Sequence, residues 1–343
     1  MSSDYRASYW LHWQSASGAE ICEIEADPER FNFLSFLATA QALKVEFLPI
    51  AWDASGAIGA GGTSMIHQTL VNLDTSFAFK TYRKRDKTEE QIFRTLIAEI
   101  TILSQPFIQE HANIVQLQGI CWDISPDNDK PWPVLVFEKS HLGDLYHFAT
   151  NEGRNMTFEE RLTLCADIGR AVIDVHSNHI VHGNLKPENV LVFQDNARRY
   201  SARVIDFGYS TKYADEDQPL ILPISEPWNA PENNGRVHQW TPRRAVKADL
   251  FCFGVLCVWL MFEPRLCGTA ALSQSVEGST ATLRWMKGKL LIYAQQLSKS
   301  ETALGTNMMT TISEFFGSSL SQDPEKREIN CIERFLFKLD PQW

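Results

Sequence analysis

The apolar positions of this chain follow strand-like spacing in its first half and helical spacing in its second. Short apolar runs broken by glycine clusters over residues 44–82 predict a twisted antiparallel sheet. A helical period follows over residues 89–104, and two further strand-like runs flank a polar loop at 123–133. Ahead of the sheet, residues 1–44 form an extension with a helical stretch around 28–43. The first half is therefore predicted to be rich in β-structure, with one prominent helix.

The second half is predicted to be mainly helical. Leu164, Ile168 and Val172 recur every four residues, as they do on one face of a helix. A short strand–loop–strand pattern over 180–205 interrupts this helical region. The order of elements predicts an α+β protein with a β-rich small lobe, an α-rich large lobe and a hinge at 138–143.

The composition is that of an ordinary globular protein, with 44% hydrophobic and 22% charged residues. The net charge of −10 argues against a general nucleic-acid binder, because such binding depends on a basic face. The seven scattered cysteines show no CxxC spacing, which favours buried thiols in a reducing compartment. The first residues lack the features of a secretory signal, and the longest apolar run, 250–262, is too short to span a membrane. These features predict a cytoplasmic or nuclear protein without membrane insertion.

A glycine-rich stretch, IGAGGTSMI at 58–66, lies between two predicted strands. Glycine at such a place lets the backbone approach a phosphate without obstruction by a Cβ atom. A glycine hairpin without a ligand explains the stretch equally well, and Ser64 stands where a third glycine would complete a GxGxxG pattern. A dinucleotide-binding motif is not favoured, because a strand rather than a helix follows the glycines.

Two charged residues in the first half are predicted to form a buried ion pair. Lys80 ends a strand-like run, and Glu99 lies 19 residues later on the apolar face of the predicted helix, in line with Leu96 and Leu103. A carboxylate that faces a core needs a cationic partner, because its burial alone is costly. Lys80 supplies that partner.

Two segments of the second half resemble motifs of the eukaryotic protein kinases. Residues 182–189 read HGNLKPEN where the family has HRDLKPEN, and 206–208 read DFG as in the family. The sequence LKPEN, rather than LAARN, points to the Ser/Thr branch. The other motifs of the family are also present in the order of the family: HANIV at 111–115, ahead of these two segments, and APE at 230–232, DLFCFG at 249–254 and DPEKR at 323–327 after them.

The resemblance implies the bilobal protein kinase fold and assigns the chain to three parts. These are an N-terminal extension at 1–44, a small lobe at 45–138 and a large lobe at 139–343, with the kinase-like domain at about 48–335. In that family the arginine of the late motif pairs with the APE glutamate, which here implies an ion pair of Arg327 with Glu232.

The resemblance also implies ATP and Mg²⁺ as ligands. Lys80, held by Glu99, would bind the α- and β-phosphates, and Lys186 would neutralise the γ-phosphate. Asn189 and Asp206 would coordinate Mg²⁺, a cation that prefers oxygen ligands. The remaining nucleotide contacts would come from the loop glycines Gly59 and Gly61, the apolar Ile66, Ala78 and Leu191, backbone groups of Glu138 and Ser140, and Asp144 at the ribose.

Asn184 departs from the family pattern at the position of the catalytic aspartate. An asparagine accepts hydrogen bonds but is not a base. General-base catalysis contributes roughly 10²–10⁴-fold, so activity is expected to be strongly weakened. The sequence favours a nucleotide-binding pseudokinase that acts as a switch, scaffold or activator of a protein partner. A weakly active Ser/Thr kinase for a protein substrate stays open, and so does a small-molecule kinase, because HG at 182–183 is also typical of that class.

Gly183 is a second departure, because the family has an arginine there that binds a phosphate on the activation segment, which here is residues 206–232. Phosphorylation of that segment is therefore not expected to be the main switch, unless Arg203 points inward and replaces the missing arginine. Three further residues are expected to support the catalytic loop: His182 by packing on Phe207, Asp249 by accepting backbone N–H groups, and Ser225 through its hydroxyl.

Overall fold

A computed structural model describes most of the chain in separate ranges. They are residues 31–49, 57–60, 64–70, 76–82, 88–124, 131–197, 199–215, 217–235, 239–266, 283, 287–300 and 305–339. The small lobe contains a five-stranded antiparallel sheet, in the order β1-β2-β3-β5-β4. Its strands are β1 (Ala57–Ala60), β2 (Ser64–Leu70), β3 (Ser76–Tyr82), β4 (Leu117–Asp123) and β5 (Trp132–Glu138). The β-rich small lobe is thus confirmed.

The helix predicted at 89–104 is observed as α2 (Glu89–Leu103). It begins with a capping box, in which Thr88 Oγ1 accepts from Gln91 N at 3.3 Å and Gln91 Oε1 accepts from Thr88 N at 3.0 Å. Two glutamates in its first turn interact favourably with the positive end of the helix dipole. The helix packs one long face into the lobe, and Glu99 lies on that face with 1% of its surface exposed.

The N-terminal extension contains a helix, α1 (Phe33–Ala42), that packs against α2. The sequence predicted this helix from residue 28, but residues 28–30 lie outside the described part. Phe36 is fully buried, and its ring lies 6.1 Å from that of Phe93 on α2. Phe33 contacts the rings of Phe93 at 6.3 Å and of Trp122 on β4 at 5.6 Å. The extension therefore contributes aromatic side chains to the core of the small lobe.

After α1 the chain runs along the edge of β4. Leu48 N donates to Ile120 O, and Ile120 N donates to Glu46 O, both at 2.8 Å. Gly119 makes this approach possible, since a Cβ atom there would lie 2.6 Å from Glu46 O and 2.7 Å from Leu48 Cγ. The edge of the sheet is thus covered by the segment that follows α1.

The large lobe is mainly helical, as the sequence predicted. A short helix, α3 (Pro106–Gln109), still belongs to the small lobe and follows α2. The helices of the large lobe are α4 (Leu145–Thr150), α5 (Phe158–Ser177), α6 (Pro242–Leu266), α7 (Leu290–Ser300), α8 (Thr306–Ser319) and α9 (Cys331–Leu339). Its short strands form two pairs, β6 (Ile180–Val181) with β9 (Thr211–Lys212), and β7 (Val190–Gln194) with β8 (Tyr200–Val204). Single 3-10 turns lie at Glu152–Asn155, Pro187–Asn189, Phe207–Tyr209, Lys287–Lys289 and Pro324–Lys326.

Helix α6 is the centre of this lobe. Its part Pro242–Glu263 is long and apolar enough to cross a membrane, but its apolar window is entirely buried inside the protein. The apolar run 250–262, which the sequence analysis judged too short to span a membrane, thus belongs to a longer helix that is buried inside the protein. The five cysteines of the described residues are also buried and free: Cys121, Cys165, Cys252, Cys257 and Cys331.

Loss of the Phe36 side chain is expected to destabilise the protein through its contact with α2. Phe36→Ala should lower the free energy of unfolding by about 3–5 kcal/mol, the usual cost of removing a buried aromatic ring. Leu34→Ala, on the exposed side of α1 with 73% of Leu34 accessible, is the matched control and should change it by less than about 0.5 kcal/mol. Urea unfolding of both variants measures the difference. Equal midpoints would contradict the packing role of α1.

Candidate active site

Lys80, Glu99 and Asp206 meet in the cleft between the lobes. Lys80 Nζ lies 2.7 and 2.9 Å from the two carboxylate oxygens of Glu99, and 2.6 Å from Asp206 Oδ1. Lys80 lies on β3, Glu99 on α2, and Asp206 just after β8. The Lys80–Glu99 pair that the sequence predicted is present, and the structure adds Asp206 as a third member.

The electrostatics of this group keep Lys80 cationic and Asp206 anionic. Burial alone would lower the pKa of Lys80, but Asp206 and Glu99 outweigh it and raise that pKa well above its ordinary value. Burial alone would raise the pKa of Asp206, but Lys80 outweighs it, and the pKa lies below its ordinary value. Burial raises the pKa of Glu99 against the opposing effect of Lys80. A cation shared by two carboxylates therefore holds both lobes at this point.

Tyr82 is a member of the site that the sequence analysis missed. Its hydroxyl donates a hydrogen bond to Glu99 Oε2, and 5% of its surface is exposed. The signal was available, because Tyr82 lies two residues after Lys80 in a strand, where alternate side chains share a face.

The catalytic loop at 182–189 is held from below by Asp249 of α6. Asp249 Oδ2 accepts from His182 N at 2.8 Å, and Oδ1 accepts from Gly183 N at 2.9 Å. His176 Nε2 of α5 lies 3.1 Å from the same carboxylate. The predicted role of Asp249 as a cap of loop N–H groups is confirmed.

His182 braces the loop and stays neutral. Its Nε2 lies 3.1 Å from Ile205 O, and its Nδ1 accepts from Asn184 N at 3.2 Å. Its ring contacts that of Phe207 edge-on, with centroids 5.1 Å apart, as the sequence analysis expected. Burial lowers the pKa of His182. The imidazole therefore fixes loop geometry and carries no charge at neutral pH.

Asn184 is tied into the loop on both sides. Its Oδ1 accepts from Ser225 Oγ at 2.7 Å, and its backbone oxygen accepts from Asn189 Nδ2 at 2.8 Å. The predicted support of the loop by the Ser225 hydroxyl is thus confirmed. The position that carries the base in the family holds an amide whose oxygen is already an acceptor for a neighbouring hydroxyl.

The oxygen atoms near Asn189 and Asp206 have the chemistry that a magnesium ion requires. Asn189 donates a hydrogen bond from its amide nitrogen to Asn184 O, and its amide oxygen takes no part in this bond. Ile205 N donates to Asn189 O at 3.0 Å, which places Asn189 beside the residue that precedes Asp206. Of the two carboxylate oxygens of Asp206, Oδ1 accepts from Lys80, and Oδ2 takes no part in that bond. The positive charge of Lys186 also lowers the pKa of Asp206. An amide oxygen and a carboxylate fit Mg²⁺.

Four of the residues predicted to surround adenosine lie in two pairs. Ala78 on β3 pairs with Phe137, and the neighbouring Phe77 pairs with Glu138 at the end of β5. Leu191 on β7 is bridged to Asp144. The structure therefore places Ala78 near Glu138 in the sheet, and Leu191 beside Asp144.

Two of the predicted hinge residues have structural contacts of their own. Ser140 Oγ donates to Val192 O and accepts from Leu142 N at 3.2 Å and Gly143 N at 3.1 Å. The carboxylate of Asp144 caps α4 by accepting from the backbone N–H of the residue three positions on, at 3.0 Å. Their predicted contacts with adenine and ribose stay predictions.

The glycine-rich stretch is described only in part. Gly59 lies on β1 and its backbone pairs with Ile66 on β2, which in turn pairs with Lys80. Gly61 lies outside the described residues. The backbone register therefore places Ile66 between the first glycine and the lysine.

Arg203 faces the hinge, which answers the question that the sequence left open. Its guanidinium pairs with Glu138 and lies 4.2 Å from the ring centre of Phe193. It does not replace the arginine that the family has at Gly183. Gly183 itself has φ +78°, and a Cβ atom there would lie 3.2 Å from both Leu222 Cδ2 and Tyr209 O. The activation segment thus packs directly on the loop.

The ion pair of Glu232 and Arg327 anchors the end of the activation segment. Arg327 Nη1 and Nη2 donate to the two carboxylate oxygens of Glu232 at 2.6 and 2.8 Å. The guanidinium also donates to Ser321 O at 2.8 Å and Lys247 O at 3.1 Å. The pair that the resemblance implied is therefore present, with Arg327 fully buried and Glu232 partly buried.

Comparisons with known proteins agree with this geometry. The sequence profile of the protein kinase domain family matches residues 52–331. The chain is similar to the dual specificity protein kinase zakA of Dictyostelium discoideum, with 28% identity over 260 residues, which are 70% of this chain and 31% of that protein. It is also similar to L-type lectin-domain containing receptor kinase V.5 of Arabidopsis thaliana, with 24% identity over 306 residues, 87% of this chain and 42% of that protein. The chain thus spans less than half the length of each relative.

Removal of the buried guanidinium is expected to be far more costly than removal of an exposed one. Arg327→Met leaves Glu232 without its partner and should lower the free energy of unfolding by about 3–5 kcal/mol. Arg199→Met is the matched control, because Arg199 pairs with Asp195 on the surface, and it should leave the unfolding midpoint unchanged. Chemical denaturation at neutral pH measures both. A wild-type midpoint for Arg327→Met would contradict the anchoring role.

Proposed function

Because this chain belongs to the protein kinase domain family, we propose that it binds ATP with Mg²⁺ and regulates a protein partner with little or no phosphate transfer of its own. The observation that carries this proposal is Asn184. It occupies the place of the catalytic base and accepts a hydrogen bond from Ser225, in a site where the Lys80–Glu99–Asp206 group is assembled. Such a protein is a nucleotide-binding pseudokinase.

The binding half of the proposal rests on charge. ATP brings several negative charges, and Lys80 and Lys186 are the cations that we propose face them. When bound, Mg²⁺ would neutralise phosphate charge with Asn189 and Asp206 as its protein ligands. The side chain of Lys80 does not have to be ordered on nucleotide binding, because its hydrogen bond to Glu99 already holds it in the cleft.

The catalytic half of the proposal rests on proton transfer. A substrate hydroxyl must lose its proton as it attacks the phosphate, and a neutral amide does not take that proton. The lost factor of roughly 10²–10⁴ corresponds to about 3–5 kcal/mol of barrier. Phosphoryl transfer depends mostly on positioning and electrostatics, so a slow residual transfer is compatible with this site.

A weakly active Ser/Thr protein kinase is the second candidate function. The four residues proposed to bind phosphate and metal, Lys80, Lys186, Asn189 and Asp206, are all retained, which favours it. A small-molecule kinase is less well supported, since the buried Glu232–Arg327 pair and the anchored activation segment are features for presenting a protein substrate. The buried free thiols of the described residues support our proposal of a reducing location, the cytoplasm or the nucleus.

Mg-ATP is expected to stabilise the protein against heat. At a ligand concentration of 100 times Kd the gain should be about 2.7 kcal/mol. Lys80→Met should remove most of this gain, because the phosphates lose their buried cation. A thermal-shift titration with ATP, with and without Mg²⁺, measures it.

Lys212→Met is the control for this titration. Lys212 is exposed and contacts Gln105, so its loss should leave the ATP effect as in the wild type. An unchanged melting temperature of the wild type in millimolar Mg-ATP would exclude the proposed binding.

Asn184→Asp is expected to restore phosphate transfer, because it adds only a base to a site that is otherwise assembled. Autophosphorylation, or transfer to a generic basic protein, should rise by roughly 10²-fold or more, the low end for a general base. The fold should tolerate the change, since Ser225 can donate to an aspartate as it does to the amide. Transfer from radiolabelled ATP measures the gain.

The double variant Asn184→Asp, Lys80→Met is the control that any gained activity belongs to this site. A wild-type turnover on the order of 1–100 per second, as in ordinary kinases, would contradict the pseudokinase proposal. An aspartate variant that binds ATP and stays inert would contradict the role of Asn184 as the cause, because something else would then disable the site.

A further inference from the structure

The hydroxyl of Tyr82 contacts the charged group at Glu99, although none of the kinase motifs includes it. We propose that Tyr82 is a positioning residue for the nucleotide phosphates. Its hydroxyl would continue to donate to Glu99 while one N–H group of Lys80 leaves Glu99 and donates to a phosphate. The inference rests on the nucleotide binding proposed above.

The geometry gives Glu99 two donors from one strand. Tyr82 OH donates to Glu99 Oε2, the oxygen that also accepts from Lys80 Nζ at 2.9 Å. Lys80 Nζ lies 5.3 Å from the centre of the Tyr82 ring. Both side chains project from the same face of β3, because they are two residues apart. Glu99 is thus supported by a charged donor and a neutral one.

The hydrogen-bond count of Lys80 shows why a second donor matters. An ammonium group has three N–H donors. In the structure they face three acceptors, the two oxygens of Glu99 and Asp206 Oδ1. For Lys80 to bind a phosphate it must release one of them.

Release of Glu99 Oε2 is the step that Tyr82 makes inexpensive. A buried carboxylate oxygen without a donor is costly, and Glu99 is 1% exposed. Tyr82 continues to satisfy that oxygen when Lys80 leaves it. Without the hydroxyl, Lys80 would be held to Glu99 more firmly and would bind a phosphate less well.

The position of Tyr82 also connects Glu99 to the DFG segment. A Cβ atom on Gly208 would lie 3.4 Å from the Tyr82 hydroxyl and 2.8 Å from Thr95 Cγ2. The hydroxyl is therefore enclosed between α2 and the residues after Asp206. Burial, followed by the charge of Glu99, raises the pKa of Tyr82 well above its ordinary value, so the hydroxyl remains a donor at physiological pH.

Tyr82→Phe tests the hydroxyl while it retains the ring. The dissociation constants of Mg-ATP and of adenosine should be measured on the full chain by titration calorimetry. Mg-ATP affinity should fall roughly tenfold, the low end for a hydrogen bond to a charged group. Adenosine affinity should not change, because adenosine has no phosphate. Tyr200→Phe, whose ring packs on Phe148 in the large lobe, is the matched control and should affect neither ligand.

A double-mutant cycle with Glu99→Gln shows whether the hydroxyl acts through Glu99. In the Glu99→Gln background, Tyr82→Phe should cause no further loss of Mg-ATP affinity. Tyr82→Met repeats the test with a flexible apolar side chain, so the result does not depend on the folding of one variant.

Three results would overturn the inference, and they differ from one another. Equal losses for adenosine and Mg-ATP would show a merely structural role. Wild-type Mg-ATP affinity in Tyr82→Phe would remove the positioning role and leave the proposed nucleotide binding intact. Failure of the wild type to bind Mg-ATP would reject the proposed function and this inference together.

Discussion

The buried ammonium of Lys80 is the group on which the cleft depends. It lies within 2.9 Å of three carboxylate oxygens, which belong to Glu99 and Asp206. The sheet supplies the lysine, α2 supplies one carboxylate, and the DFG segment supplies the other, so a single cation connects three elements. Loss of the lysine would leave the carboxylates of Glu99 and Asp206 without their shared cation, and an uncompensated buried charge is among the most costly changes in a protein interior. The same cation is the one that the phosphates of a nucleotide would need.

The packing around α2 determines whether Glu99 can reach that cation. On its outer side α2 is covered by α1, through the rings of Phe33, Phe36 and Phe93. On its inner side it faces Tyr82 and Lys80 of β3. Residues 33–42 lie outside the segment that matches the family profile, 52–331, yet they complete the core of the small lobe. The extension therefore bears on the site through its packing against α2.

In the large lobe, the loop that contains Asn184 is held in place by a few hydrogen bonds. Asp249 holds the backbone of the loop, and Ser225 holds the side chain that replaces the base. Burial of Arg327 against Glu232 fixes the end of the activation segment without a phosphate. The backbone of the loop and the side chain at the position of the base are thus both held by hydrogen bonds, but that side chain is not a base. This supports the proposed function, in which the protein acts by binding more than by turnover.

The order of motifs was enough to predict the bilobal α+β fold, and the cost of burying a carboxylate was enough to predict the Lys80–Glu99 pair. The contacts of Asp249 and Arg327 could also be predicted, because each of these residues lies in one motif of the family and has its partner in another. Three features depended on the tertiary structure: the hydroxyl of Tyr82 on Glu99, the turn of Arg203 toward Glu138, and the contact of α1 with α2. Each of them depends on the direction of a side chain or on the docking of a distant helix. Hydrophobic periodicity determines which face of an element is buried, but only the packed chain determines which neighbour that face meets.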